Sequence, residues 1–193
     1  MNANHEFFAF SNKTETRKLL RAQRKHHELQ TSITPAFRKL LSALQLQKSA
    51  IALYYSYGTE PDTHSLIQDL HNDGHTIFLP YRAGKTLEWK TFTSQKELHQ
   101  AEIPGFYEIS ESIASTPREA IDLFVVPALA VSNNGSRLGQ GGGFYDRALE
   151  NLDAKQKMVA LVYPEEIIQD LPVEEHDIKV DYAITSAGEI YTF

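Results

Sequence analysis

The sequence predicts an α/β protein in which a mostly parallel sheet lies between helices, a three-layer α/β/α arrangement. Two observations support this fold class. Short apolar runs with the length of a strand alternate along the chain with helical patterns, as in sheets built from strand–helix–strand units. The most apolar run, IDLFVVPALAV at 121–131, lacks polar alternation, which is typical of a central strand buried on both faces.

Each element follows from a local pattern. Stretches without internal Gly or Pro, or opened by Thr-Pro or closed by Gly, predict helices at 16–29, 34–46, 63–74, 94–100 and 145–152. Apolar or alternating runs predict strands at 49–55, 75–80, 87–92, 121–131 and 157–163, and a terminal hairpin at 182–193. Without linkers or repeats, residues 14–193 form a single domain, preceded by an arm at 1–13 that either packs on the body or is flexible.

Composition excludes several classes of function. Lys and Arg total 19 and Asp and Glu total 25, so the net charge is −6, which disfavours binding to nucleic acid or to an anionic membrane. The chain has no cysteine, which excludes thiolate catalysis and Cys-ligated zinc. No signal peptide and no apolar run of membrane-spanning length are evident, so we expect a cytoplasmic location.

The strongest functional signal is a cluster of glycines after the most apolar run. Five of the ten glycines lie between Gly135 and Gly143, and residues 139–143 are called the glycine loop below. Glycines let backbone N–H groups approach phosphate, and Arg137 adds donors that match phosphate oxygens. Asp146 is a hard oxygen ligand suited to Mg²⁺. A turn that only lets a strand and a helix pack closely is the alternative, but it would not need these flanking charges.

Two common nucleotide-binding motifs do not fit this spacing. A GxGxxG motif starting at Gly139 and Gly141 would place its third glycine at Phe144. A Walker motif ending at Gly84 would place its first glycine at Leu79. The loop therefore belongs to another class of phosphate-handling site.

The segment PALAVSNNGSRLGQGGGFYDRAL (127–149) closely resembles the signature of the 5-formyltetrahydrofolate cyclo-ligase family, also called methenyltetrahydrofolate synthetases. The resemblance extends to the basic first helix, EPDT (60–63) and LPVEEHDIKVD (171–181). It implies a fold similar to that of ribose-phosphate isomerases and CoA transferases. It also implies an ATP- and Mg²⁺-dependent conversion of 5-formyltetrahydrofolate to 5,10-methenyltetrahydrofolate with release of ADP and phosphate, a step of one-carbon metabolism.

The resemblance also implies roles for individual residues. The implied catalytic residues are Arg137, Tyr145 and Asp146. The implied ATP-binding residues are Arg17, Arg21, Arg137, Leu138, Gly139, Gln140, Gly141, Gly142, Gly143, Phe144 and Tyr145. The implied folate-binding residues are Tyr55, Glu60, Gln140, Gly141, Gly142, Gly143 and Phe144. The implied Mg²⁺ ligands are Asp146 and Asp177.

The sequence departs from the family pattern at three positions. Arg17 stands where Lys is common, and Phe144 stands where Tyr often occurs, so a hydroxyl contact is lost there while ring stacking remains possible. Ile109 follows Glu108 where the family usually has Pro, which leaves the geometry of that loop and the role of Glu108 open.

Other functions compete with this interpretation. A sugar-phosphate isomerase on the same fold would need a catalytic carboxylate or lysine but no ATP. A binding module is the second alternative, with RKLLRAQRK (17–25) on nucleic acid or the fold as a folate or nucleotide carrier, and a non-catalytic homologue is the third. We expect the two small-molecule substrates as the partners, with no nucleic acid or membrane, and a monomer rather than an oligomer.

Overall fold

Five parallel strands form the centre of an eight-stranded sheet in the computed structural model of the protein, which describes residues 12–24, 33–102, 104–174 and 177–193. The helices are α1 (Lys13–Arg24), α2 (Thr34–Ala43), α3 (His64–Asn72) and α4 (Phe144–Ala148). The strands are β1 (Ala50–Ala52), β2 (Thr76–Ala83), β3 (Thr86–Phe92), β4 (Leu98–Gln100), β5 (Tyr107–Ile109), β6 (Ser115–Thr116), β7 (Leu123–Pro127), β8 (Ala130–Ser132), β9 (Arg137–Leu138), β10 (Lys157–Val162), β11 (Ile167–Ile168), β12 (Tyr182–Thr185) and β13 (Ile190–Thr192).

The main sheet has the order β13-β12-β10-β7-β1-β2-β3-β6. Strands β12, β10, β7, β1 and β2 are parallel, whereas β13, β3 and β6 are antiparallel additions at the two edges. A small sheet of β11, β8 and β9 and a hairpin of β4 and β5 lie outside it. The predicted mostly parallel α/β fold is therefore confirmed, and the terminal hairpin is formed by β12 and β13.

Central strands of the main sheet are buried on both faces. Along β7, Leu123 and Val125 pack with α2 and α3, whereas Phe124 and Val126 pack with the segment around α4 on the opposite face. All four side chains are at most 1% exposed. This arrangement explains the absence of polar alternation in the sequence and places helices on both sides of the sheet.

One element prediction was wrong: residues 121–131 do not form a single strand. The main-sheet strand ends at Pro127, and β8 begins at Ala130 in the separate three-stranded sheet. Proline has no N–H to donate, so the ladder of hydrogen bonds is interrupted there. The break turns the chain out of the main sheet, and β8 and β9 then lead to the glycine loop.

The predicted helix at 94–100 was also wrong. A single 3-10 turn, Gln95–Glu97, begins with a capping box at its N-cap residue Ser94. The chain then continues as β4. A capping box is also typical of a longer helix, but here β5 offers a pairing partner, so Leu98 enters a strand.

The first helix begins at Lys13, earlier than predicted, and is described as far as Arg24. Residues 25–29 of the predicted helix lie outside the described residues. The same holds for the arm, except for its last two residues, 12 and 13. No helix within the described ranges is long and apolar enough to cross a membrane.

Candidate active site

The glycine loop lies at the carboxyl end of the parallel sheet, where α/β proteins bind ligands. Strand β7 ends there at Pro127, and the neighbouring parallel strand β1 ends at Ala52, so the segments after both strands meet at one edge. Gly141 adopts a φ of 102°, which a residue with a side chain rarely adopts. Helix α4 follows but has only five residues, so the loop and its surrounding arginines provide the cationic character of this edge.

Two arginines of α1 bind the backbone of the loop from above. Arg17 donates from Nε to the carbonyl oxygen of Gly139 at 2.9 Å. Arg21 donates from Nη2 to the carbonyl of Gln140 at 2.8 Å and from Nε to its side-chain oxygen at 3.0 Å. Their spacing of four residues places both on one helical face, as the sequence predicted.

Lys13 extends the same basic face by another four residues, and the sequence reasoning did not single it out. Its Nζ lies 2.6 Å from a carboxylate oxygen of Asp177 and 2.9 Å from Glu174. The contact joins the start of α1 to the acidic segment LPVEEHDIKVD. The repeated spacing from Arg17 was a usable signal, because residues four apart share one face of a helix.

Arg137 points into the protein rather than along the loop surface. Its side chain is 2% exposed, with Nη2 at 2.7 Å from Asp146 Oδ1 and Nη1 at 2.8 Å from the carbonyl oxygen of Pro127. The backbone N–H of Ile178 lies 3.4 Å from the same Asp146 oxygen. Asp146 and the segment containing Asp177 are thus neighbours, although about thirty residues of chain separate them.

Below the loop is a cavity of about 310 Å³. Its wall includes all seven residues of the implied folate site, namely Tyr55, Glu60, Gln140, Gly141, Gly142, Gly143 and Phe144. Three residues given a catalytic role, Arg137, Tyr145 and Asp146, also line it. Leu138 does not, since its side chain packs in a small cluster with Leu20 and Leu129.

The opposite wall comes from residues that sequence reasoning did not assign. They are Tyr54, Leu79, Pro80, Arg82, Leu87, Leu98, Phe106, Tyr107, Glu108, Ile109 and Pro127. Ile109, the departure from the family pattern, is a buried core residue, while Glu108 pairs with Arg82 at 2.8 Å. Most of this wall reads in sequence as ordinary strand, so no local pattern distinguishes it from core.

Aromatic rings surround one side of the cavity. The ring of Tyr55 stacks on His64 with centroids 3.8 Å apart and meets Tyr107 edge-on at 6.0 Å. The Arg82 guanidinium lies 5.5 Å from the ring centroid of Phe106. Rings held in this way offer a rigid apolar surface for a flat heterocycle.

Glu60 is the acidic group of the cavity on the β1 side. Its Oε2 accepts a hydrogen bond from the backbone N–H of Tyr57 at 3.0 Å. Burial raises the pKa of Glu60, and the Tyr57 hydrogen bond, the charge of Arg24 and a bond from Gln140 oppose this shift. Burial and the nearby Glu60 charge also raise the pKa of Tyr145, so its phenol stays protonated at neutral pH. The cavity therefore combines a carboxyl group with a protonated phenol.

A Mg²⁺ ion would find one suitable carboxylate at the loop. Hydrogen bonds from the described residues reach Asp146 at Oδ1, and Oδ2 faces no donor among them. Asp177 is bound by Lys13 and by the backbone N–H of Glu174 at 2.7 Å. No group of three or more His, Cys, Asp or Glu side chains converges within the described part of the chain. These carboxylate oxygens fit a cation that takes one or two carboxylates and completes its shell with phosphate oxygens and water.

Fold and site together define an α/β enzyme with a small-molecule cavity at the carboxyl ends of its parallel strands, roofed by a glycine loop and a basic helix. The model of the 5-formyltetrahydrofolate cyclo-ligase family matches residues 9–186, so the chain belongs to this family.

Known proteins agree with this assignment. The chain is 30% identical over 186 residues to the 5-formyltetrahydrofolate cyclo-ligase of Mus musculus, covering 88% of this chain and 89% of the relative. The enzyme of the same name from Mycolicibacterium smegmatis is 30% identical over 160 residues, covering 78% and 80%. A solved structure of 5,10-methenyltetrahydrofolate synthetase from Aquifex aeolicus superposes with a TM-score of 0.77 at 26% identity, covering 93% of this chain and 92% of that one.

Proposed function

We propose that this protein cyclises 5-formyltetrahydrofolate to 5,10-methenyltetrahydrofolate, using ATP and Mg²⁺ and releasing ADP and phosphate. One observation carries the proposal beyond family membership. The loop whose carbonyls are bound by Arg17 and Arg21 also forms part of the cavity wall that holds Glu60. A phosphate group outside the loop and a heterocycle inside the cavity would therefore meet across the same glycines.

The cavity suits the pterin end of the folate. Its volume of about 310 Å³ is at the lower end of the range for small-molecule sites, which suits a two-ring heterocycle better than a whole folate. An ionised Glu60 accepts hydrogen bonds only, and the pterin offers amino and ring N–H donors. Stacking on the aromatic side would fix the plane of the ring.

The phosphate chain of ATP fits the outer side of the loop. Arg17 is half-buried and Arg21 exposed, and each already lies against a loop carbonyl. Glycines at 141, 142 and 143 leave the backbone N–H groups accessible to phosphate oxygens. Guanidinium groups bind such oxygens in pairs, which both neutralises charge and sets orientation.

The reaction consists of two displacements. The formyl oxygen attacks the γ-phosphorus, and the bond to the ADP oxygen breaks. The N10 lone pair then attacks the activated formyl carbon, the C–O bond breaks, and phosphate leaves with the former formyl oxygen while N10 loses its proton. The protein mainly positions the reactants and stabilises charge in such transfers. Tyr145 is protonated and lines the cavity, which supports a role in donating a hydrogen bond to the phosphate oxygen that leaves the formyl carbon.

Asp146 would hold Mg²⁺, and Asp177 would join it after Lys13 releases the Asp177 carboxylate. When bound, the ion would neutralise charge on the transferring phosphate. Arg137 keeps the Asp146 carboxylate in one orientation at the inner end of the loop. Because two carboxylates, Asp146 and Asp177, are proposed there among the described residues, phosphate oxygens and water would supply the remaining ligands, and binding of the metal and of ATP should depend on each other.

An absorbance assay for methenyltetrahydrofolate tests the proposal. Product should form only when 5-formyltetrahydrofolate, ATP and Mg²⁺ are all present, with ADP and phosphate released in equal amounts. Product formation without nucleotide would contradict the proposed mechanism. Absence of product, together with absence of ATP binding, would favour an isomerase on this fold.

A further inference from the structure

A buried ion pair lies behind the candidate active site. The Arg24 guanidinium and the Glu166 carboxylate are 1% and 2% exposed, with Nε–Oε1 at 2.6 Å and Nη2–Oε2 at 2.8 Å. Arg24 also donates to the carbonyl oxygen of Ala128, and Glu166 accepts from the backbone N–H of Tyr163. Neither charged side chain lines the cavity, and neither has a role in the proposed reaction.

Such a pair is a poor means of stabilising a fold. Taking two charges out of water costs free energy, and well-packed apolar side chains often replace a buried pair without loss of stability. The site even leaves one nitrogen of Arg24, Nη1, buried without a hydrogen-bond partner among the described residues. A role in geometry explains the pair better than a role in stability.

The pair fixes one end of α1, a helix with little apolar packing of its own. Only Thr16, Leu20 and Arg24 are buried along its 12 residues, and Leu20 alone is apolar. The position of α1 against the rest of the protein is therefore set mainly by polar contacts. Arg24 is the most deeply buried of the charged side chains described on α1, and Arg21 and Arg17 lie about 4.5 and 10 Å before it along the helix axis.

The other end of the contact is the β7–β8 junction that leads into the loop. Arg24 binds the carbonyl of Ala128, and Arg137 binds the preceding carbonyl, that of Pro127. Two buried arginines, each held by a carboxylate, thus bind consecutive peptide groups. Arg24 therefore holds α1 and the segment between β7 and β8 in a fixed position relative to each other.

We propose that Arg24, held by Glu166, is a positioning residue for ATP: it sets the place of α1 so that Arg17 and Arg21 reach the phosphate side of the glycine loop. This inference rests on the proposed function. It assigns the pair to the nucleotide half of the site, since Glu60 and the aromatic wall belong to other elements. Loss of the pair should weaken ATP use more than folate use, since folate use loses only the Arg24 charge that lowers the pKa of Glu60.

The test replaces both charges with apolar side chains, Arg24→Met together with Glu166→Leu. We expect thermal unfolding close to that of the parent, because neither charge is left unpaired. The KM for ATP should rise at least about tenfold, the change equivalent to one charge-assisted hydrogen bond, while the KM for 5-formyltetrahydrofolate rises by a smaller factor. If the pair only stabilised the fold, the double variant would have parent-like stability and both of its Michaelis constants would be unchanged.

A matched control and a milder variant complete the design. Arg38→Met with Asp73→Leu removes a solvent-accessible pair between α2 and the residue that follows α3, far from the loop in sequence, and should leave the KM for ATP unchanged. Arg24→Lys keeps the charge but loses the two-pronged contact, and it should raise the KM for ATP by a smaller factor. If the double variant does not fold, Arg24→Lys decides alone.

Parent-like KM for ATP in a folded Arg24→Met/Glu166→Leu protein, or in Arg24→Lys when the double variant does not fold, would overturn the inference. Equal losses for ATP and folate would overturn it as well, because they would indicate general disruption of the site. Failure of the proposed function is distinguished by the parent itself, which would then bind no ATP analogue and form no methenyltetrahydrofolate.

Discussion

Replacing Arg137 with alanine should damage the fold as well as catalysis. The guanidinium is 2% exposed and makes one bond to Asp146 at 2.7 Å and one to the Pro127 carbonyl at 2.8 Å. Both bonds involve the charged guanidinium, and a hydrogen bond of this kind contributes about 1.5–3 kcal/mol. Because the Asp146 side chain is 17% exposed, water can partly solvate it after the change, which favours a total near 3 kcal/mol.

Thermal unfolding followed by circular dichroism measures this loss. For a domain of this size, each kcal/mol shifts Tm by about 2–4 °C, so Arg137→Ala should lower Tm by about 6–12 °C. Arg21→Ala is the matched control, since Arg21 is exposed and bound only at the loop surface. It should leave Tm within about 2 °C and raise the KM for ATP.

The reasoning would be refuted by Arg137→Ala protein whose Tm stays within about 2 °C of the parent, because a buried guanidinium bound at both ends cannot be removed so easily. A normal Tm with a higher KM for ATP would place Arg137 on the phosphate side of the loop instead, as the sequence had suggested.

Three further predictions follow from the site. Glu60→Gln should raise the KM for folate and leave ATP binding unchanged. In the parent, folate affinity should be full above the raised pKa of Glu60 and fall as pH drops through it, and kinetics across acid pH should show this slope flattened in the Gln variant. Asp146→Asn should lower turnover more than Asp177→Asn, with partial rescue by added Mg²⁺ in both; equal losses without rescue would contradict a metal role. Gly135→Ala should destabilise by at least about 2 kcal/mol in urea unfolding, because its φ is 79° and a Cβ would lie 2.7 Å from the Val180 carbonyl; unchanged stability would be inconsistent with this turn.

Local patterns predicted most of the elements because their cause is local. Apolar residues without polar alternation marked β7, and glycines after it marked the loop. The two wrong elements depended on strand pairing, which the pattern of a segment does not show. β8 pairs with β9 and β11 in a separate sheet, and β4 pairs with β5 in a hairpin, so the pairing partners, and not the composition of each segment, decided these elements.

The candidate site divides in the same way. Glu60 and the glycine loop were selected from sequence, and they line one cavity. Arg82, Tyr107 and the other residues of the opposite wall were not, because their sequence pattern is that of ordinary strands. Lys13 was missed for a different reason: its partner Asp177 is 164 residues away.

By itself, the sequence determined the fold class, the family and the glycine loop proposed to bind phosphate, because strand periodicity and glycine backbone freedom act over a few residues. Tertiary structure alone decided which charges pair. Arg137 binds Asp146, Lys13 binds Asp177, and Arg24 binds Glu166 inside the protein. A guanidinium can bind phosphate or a carboxylate equally well, so its partner is chosen by the packing that brings distant segments together and excludes water.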